Sequence, residues 1–188
     1  MTSGTTNVGG IPIPSASPFF LAVVALHVLL GLVCGVIGIV AMLARKAPGR
    51  HPTLGTVYYW SLSAVFATAT ILAVIRWAED YHLFFLGALS FAAASLGRMA
   101  LRRHWNHWTT YHIPGMGLSY VLMLTAFYVD NGKNLPLWNK LPEIAFWLLP
   151  GAIGIPIILY ELLRHPLAML EGPTAHPSYI NASSRTSR

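Results

Sequence analysis

Charge is scarce in this chain. Lys, Arg, Asp and Glu together make up 10% of 188 residues, against 55% hydrophobic ones, where a soluble domain carries about 25% charged residues. A mean hydropathy of +0.57 makes water an unsuitable solvent for it. Cysteine occurs once, at Cys34, so no internal disulfide can form and a buried structural thiol is expected. No Cys-x-x-Cys and no His-x-x-Glu-His is present, which removes the common zinc and inverzincin signatures. Nucleophile elbow, phosphate loop and nucleotide fingerprint are missing as well. No Lys or Arg precedes Arg45, so the first apolar run lacks the basic flank of a cleavable signal peptide. Regular in–out alternation is also missing, which excludes a membrane β-barrel.

What is there is five continuous apolar stretches, at about 19–44, 54–75, 83–101, 113–129 and 144–163. Each approaches the ~20 residues an α-helix needs to cross ~30 Å of hydrocarbon. Lipid offers the backbone no hydrogen-bond partners, so the expected fold is an all-α bundle of five transmembrane helices. The organisation expected is an outer tail over 1–17, a bundle over 18–164 and a disordered cytoplasmic tail over 165–188. The basic residues collect in alternate loops. Arg45, Lys46 and Arg50 follow the first stretch, Arg98, Arg102 and Arg103 the third, and Arg164, Arg185 and Arg188 the fifth. Glu79, Asp80, Asp130, Lys133, Lys140 and Glu143 fall in the opposite loops. Lys and Arg favour cytoplasmic loops, so the N-terminus is expected outside and the C-terminus inside. The net charge of +6 is thus a topology signal, and the expected partner is the lipid bilayer of a bacterial inner membrane rather than nucleic acid.

Ionisable residues inside a membrane are functional candidates. On the first helix His27, Gly31, Cys34, Gly35, Gly38 and Met42 recur at helical spacing, which predicts one inner face carrying one imidazole. A richer group lies at the basic side. His51 precedes the second helix, His104 and His107 sit in His104-Trp-Asn-His-Trp-Thr-Thr-Tyr-His112, and His112 opens the fourth. Met116, Ser119 and Met123 continue the His112 stripe. Imidazole ligates zinc and copper, and a thioether suits Cu(I), so His51, His107, His112 and Met116 are candidate metal ligands. Haem b between His51 and His112 is a second candidate, and His27, deeper in its helix, belongs to the cofactor-binding set or to a separate proton site. The competing structural explanation is an aromatic, snorkelling belt. Arg98 either snorkels or binds an anion, with Glu161 as its expected acidic partner. Pro150 and Pro156 are expected to bend the fifth helix.

The order Gly38, Ala41, Arg45-Lys46, His51, Gly55, His107, His112-Ile113, Met116, Ser119-Tyr120 and Thr125-Ala126-Phe127 resembles a bacterial family of small multi-pass membrane proteins described only as a domain of unknown function. The likeness runs over roughly 27–130. It implies that His27, His51, His107 and His112 act as a group, and it implies no reaction. Pro52 and Gly115 stand where the family pattern has arginine. The expected function is a histidine-based membrane site for redox or cofactor-assembly chemistry. The alternatives are an accessory subunit packed against another membrane protein, and a proton-linked transporter with His27 on its path and Glu79, Asp80 and His82 at its mouth.

Overall fold

A computed structural model describes residues 5–8, 11–14, 17–45, 49–136 and 138–164. Five helices fill it: α1 (Pro18–Leu43), α2 (Arg50–Ile75), α3 (Trp77–Arg102), α4 (Trp108–Asn131) and α5 (Glu143–Arg164). All five are long and apolar enough to cross a membrane, and the chain is an all-α, multi-pass bundle. Within the N-terminal tail, β1 (Thr5–Val8) pairs antiparallel with β2 (Ile11–Pro14), Val8 opposite Ile11. The expected C-terminal tail lies outside the described residues.

Local chemistry explains where the helices begin. Pro18 at the first turn of α1 needs no N–H partner, and the Ser17 hydroxyl accepts from Phe20 N at 3.1 Å. Three helices start earlier than hydropathy predicts. α2 begins at Arg50, α3 at Trp77 and α4 at Trp108. The expected 76–82 loop reduces to Arg76 alone. Glu79 and Asp80 occupy the first turn of α3, where the helix dipole favours carboxylates. Hydropathy reports the hydrocarbon, while these helices continue into the headgroup layer. The loop before α5 consists of two 3-10 turns, Gly132–Asn134 and Trp138–Lys140. Lys133 Nζ reaches Glu143 Oε1 at 2.7 Å across it, and the Trp138 ring lies 4.5 Å from Tyr128.

Helices packed against their sequence neighbours form the bundle, and α1 also meets α4. Glycine sets the closest approaches, as expected where backbones rather than oily side chains must meet. A β-carbon at Gly115 would stand 2.8 Å from the Ala93 carbonyl oxygen and 2.9 Å from Gly97 Cα, so α3 and α4 touch backbone to backbone. Between α4 and α5, Gly117 receives Ile158 and Gly154 receives Val121. The α1 stripe is rotated from its expected position. Cys34, Gly38 and Ala41 are buried, and Met42 is turned outward. Gly38 faces Tyr120, but Gly31 and Gly35 have no atom within 4 Å of where a β-carbon would be. Neither has a neighbouring helix packed against its Cα face, although the Gly35 carbonyl accepts from Tyr120 of α4. Pro150 and Pro156 lie within one continuous α5.

The middle of the bundle is small and polar, and its groups are paired. Ser119 Oγ donates to the Met116 carbonyl at 2.7 Å, so the Tyr58 hydroxyl is the donor in its 2.9 Å contact with Ser119 Oγ. Ser90 Oγ donates to the Ser119 carbonyl, and Tyr120 to that of Gly35. Cys34 is fully buried beside Tyr58, Leu62, Ala94 and Tyr120. Ser63, Thr68 and Thr70 return their protons to carbonyls of α2, as expected for hydroxyls in a membrane helix.

Candidate functional site

His27 lies about 14 Å along α1 from its first residue at 1.5 Å per residue. Its Nδ1 meets Thr68 Oγ1 on α2 at 2.8 Å. Thr68 Oγ1 also lies 3.0 and 2.9 Å from the carbonyls of Ala64 and Val65. When its one proton goes to either carbonyl, Oγ1 accepts from His27 and Nδ1 carries the hydrogen. The Val65 carbonyl oxygen also lies against the ring. This assignment leaves Nε2 as the basic atom of the neutral imidazole.

A charged group surrounds it at the end of the bundle where α1 begins. The Asp130 carboxylate on α4 is near enough to His27 for their charges to interact, and His82 and Arg76 act on the same carboxylate. Asp130 in turn acts on Asp80, which also feels Arg76, Glu79 and His82. Asn131 Nδ2 donates to Asp130 Oδ2 at 3.2 Å and to the Phe127 carbonyl at 3.1 Å, which orients the carboxylate. Arg76 Nε is 3.7 Å from Glu79 Oε2. The His82 ring packs 6.0 Å from Trp147. Thus α1, α3 and α4 each contribute a titratable side chain to one electrostatically interacting group, with the Arg76 cation at the α2–α3 junction. His27 is its innermost member.

Asp130 is the member that sequence reading missed. The predicted fourth helix ends at 129, which leaves Asp130 as a loop charge beside Asn131-Gly132. In the structure α4 continues through Asn131, and the helix holds the carboxylate toward α1. An acidic residue immediately after an apolar run, facing a histidine of another span, is the signal available in the sequence.

The basic-face histidines behave differently. His51 Nδ1 donates to the Ala41 carbonyl at 2.9 Å. Ala41 lies in the last turn of α1, whose carbonyls have no helical partner, so His51 caps that helix. His112 lies one turn inside α4, not at its start, and its Nδ1 donates to the Gly97 carbonyl of α3 at 3.0 Å. His107 is the residue before α4, in the left-handed conformation with φ 59°, and its carbonyl receives Thr110 N. Met116 packs against the central core cluster. One imidazole therefore ties α1 to α2, another ties α3 to α4, and the third stands at a helix entrance.

Among the described residues no three His, Cys, Asp or Glu side chains gather as ligands for a metal ion. His51, His107 and His112, expected to hold copper or zinc with Met116 as soft ligand, form no such group among the described residues. His27 belongs with the acidic mouth at the other end of the bundle, away from His51 and His112 as a haem b set. Arg98 also differs from expectation: its partners are Thr56 and Tyr59, and the charge acting on it is that of Arg102, not of Glu161. No protein-family model, curated protein or solved structure matches this chain.

Proposed function

We propose that the protein is a small proton-linked transporter of the bacterial inner membrane, and that His27 and Asp130 form its proton-binding unit. The observation that carries this reading is the His27 imidazole held at Nδ1 by Thr68 within the bundle, in electrostatic reach of Asp130. Ionisable side chains are expensive inside a bilayer, and those that occur there mark proton and ion pathways. A fixed Nδ1–H directs proton exchange to Nε2. Asp80, His82 and Asp130 supply a sequence of titratable groups from the headgroup layer to that atom. The asymmetry of Lys and Arg supports an outward-facing mouth, with the C-terminus in the cytoplasm. Metal chemistry at the basic face has no comparable support, since no three His, Cys, Asp or Glu side chains gather there among the described residues.

The test is proton flux into lipid vesicles holding the purified protein and a trapped pH dye, driven by a potassium diffusion potential. The wild-type protein should acidify the lumen faster than empty vesicles. His27→Gln and Asp130→Asn should each slow that flux at least about tenfold, the scale of losing one proton-transfer group. His51→Gln should leave it near wild type. Flux unaffected by His27→Gln would end this reading.

A further inference from the structure

At the basic face, between α2 and α3, the contacts described for Arg98 include no carboxylate. Arg98 lies about 6 Å, four residues of helical rise, from Arg102 near the end of α3. The Arg98 guanidinium carbon stands 4.7 Å from the centroid of the Tyr59 ring, and Nη1 donates to Thr56 Oγ1 at 3.3 Å. Thr56 gives its own proton to the Pro52 carbonyl at 2.9 Å, so it is an acceptor toward the arginine. These contacts fix the guanidinium plane and neutralise nothing. The charged group acting on Arg98 is Arg102, of the same sign. The ion pairs described, Arg76–Glu79 and Lys133–Glu143, involve neither arginine.

Two adjacent cations at headgroup depth, one oriented by a ring and a hydroxyl, need an anion. A guanidinium has five N–H donors in a fork that fits phosphate oxygens two at a time. Thr56 uses one of Arg98's donors. Beside the groove, Trp60 is 64% exposed and Leu101 36% exposed, which offers apolar surface to acyl chains running down from the same headgroup. Basic pockets between membrane helices on the cytoplasmic side are suited to anionic lipid headgroups.

We propose that Arg98 and Arg102 bind the phosphate of an anionic phospholipid in the α2–α3 groove, with Tyr59 and Thr56 positioning Arg98. This site is independent of the His27 unit. Lipid is preferred to a soluble phosphate because the cations open on apolar, lipid-facing surface.

Native mass spectrometry of the detergent-purified protein tests this, with phosphatidylglycerol and phosphatidylcholine offered separately. The wild-type protein should retain phosphatidylglycerol at about tenfold lower concentration than phosphatidylcholine, and Arg98→Gln should abolish most of that preference. Arg102→Gln should weaken it, and Arg98→Lys should recover only part, since lysine keeps the charge and loses the fork. Excess inorganic phosphate should not displace the lipid; full displacement would assign the site to a soluble anion and overturn the lipid proposal. Equal retention of the two lipids by the wild-type protein would overturn it too. So would an Arg98→Gln protein that melts like wild type and keeps the preference. Should Arg98→Gln not fold, unchanged preference in Arg102→Gln and Arg98→Lys together would have the same force.

Discussion

At the scale of single residues, the bundle separates histidines that hold helices from the one that can exchange a proton. His51 and His112 each donate Nδ1–H to a carbonyl of a neighbouring helix. His27 meets a hydroxyl that also lies against two backbone carbonyls, and it has a carboxylate as electrostatic neighbour. The sequence displays all these imidazoles alike, because spacing along one helix does not tell which atom of another helix a ring will meet. His27 was legible as an intramembrane ionisable group, and Asp130 was not, since the apolar run stops before it. Glycine shows the same limit. Gly31, Gly35 and Gly38 lie on one face, yet only at Gly38 would a β-carbon meet a neighbour within 4 Å. The closest backbone approach is instead at Gly97 and Gly115, which the motif search did not single out. Gly115→Ala would push a methyl group against the Ala93 carbonyl and the Gly97 backbone, neither of which can rotate away. It should lower stability in detergent by about 1–3 kcal/mol, the usual cost of overpacking. Gly35→Ala enters open space and should change stability by no more than about 0.5 kcal/mol. Equal unfolding curves for the two variants would show that the α3–α4 contact is looser than described.

At the scale of elements, five helices could be read from five apolar runs because each run satisfies the length that hydrocarbon imposes. Their starts could not, since charged and aromatic residues that lower hydropathy are also suited to the headgroup layer. The beginning of α3 is the clearest case. Trp77, Glu79, Asp80 and Tyr81 read as a loop by polarity, but they form a first turn with acids at the positive end of the helix dipole. This extension has a functional consequence: it gives Asp80 and His82 a rigid position beside Asp130 instead of placing them in a loop. Backbone amides beyond the first turn should therefore be protected. Hydrogen exchange measured in bilayers should find the amides of His82 and Leu83 as slow as those a turn further on, at Leu86 and Gly87. Exchange at His82 and Leu83 as fast as in an open loop would remove the preorganised mouth. Proline at 150 and 156 teaches the converse. Two prolines read as helix breakers, yet α5 remains one helix from Glu143 to Arg164, since neighbouring structure can re-satisfy the freed groups in a membrane helix.

At the scale of the whole molecule, an odd number of spans puts the two ends of the chain on opposite sides, and the orientation proposed from the basic loops has the α1–α2 and α3–α4 connections in the cytoplasm. Reporter fusions at residues 10 and 175 should accordingly give an external signal for the first and a cytoplasmic one for the second; both on the same side would contradict five spans. The bundle then has two unlike ends, an acidic, histidine-bearing mouth outside and an arginine-rich rim inside. Its polar centre of Tyr58, Ser90, Ser119 and Tyr120 is satisfied by internal hydrogen bonds. The central claim is that His27 and Asp130 titrate as one unit, because two groups that share a proton lose their individual midpoints. Nitrogen-15 spectra of the His27 side chain, recorded across pH in lipid bilayers for the wild-type protein and for Asp130→Asn, test it directly. The account predicts an Nδ1–H, Nε2-basic neutral tautomer in the wild type and a clear displacement of the His27 midpoint in Asp130→Asn. A His27 titration curve identical in the two proteins, or a ring that carries its hydrogen on Nε2, would contradict it.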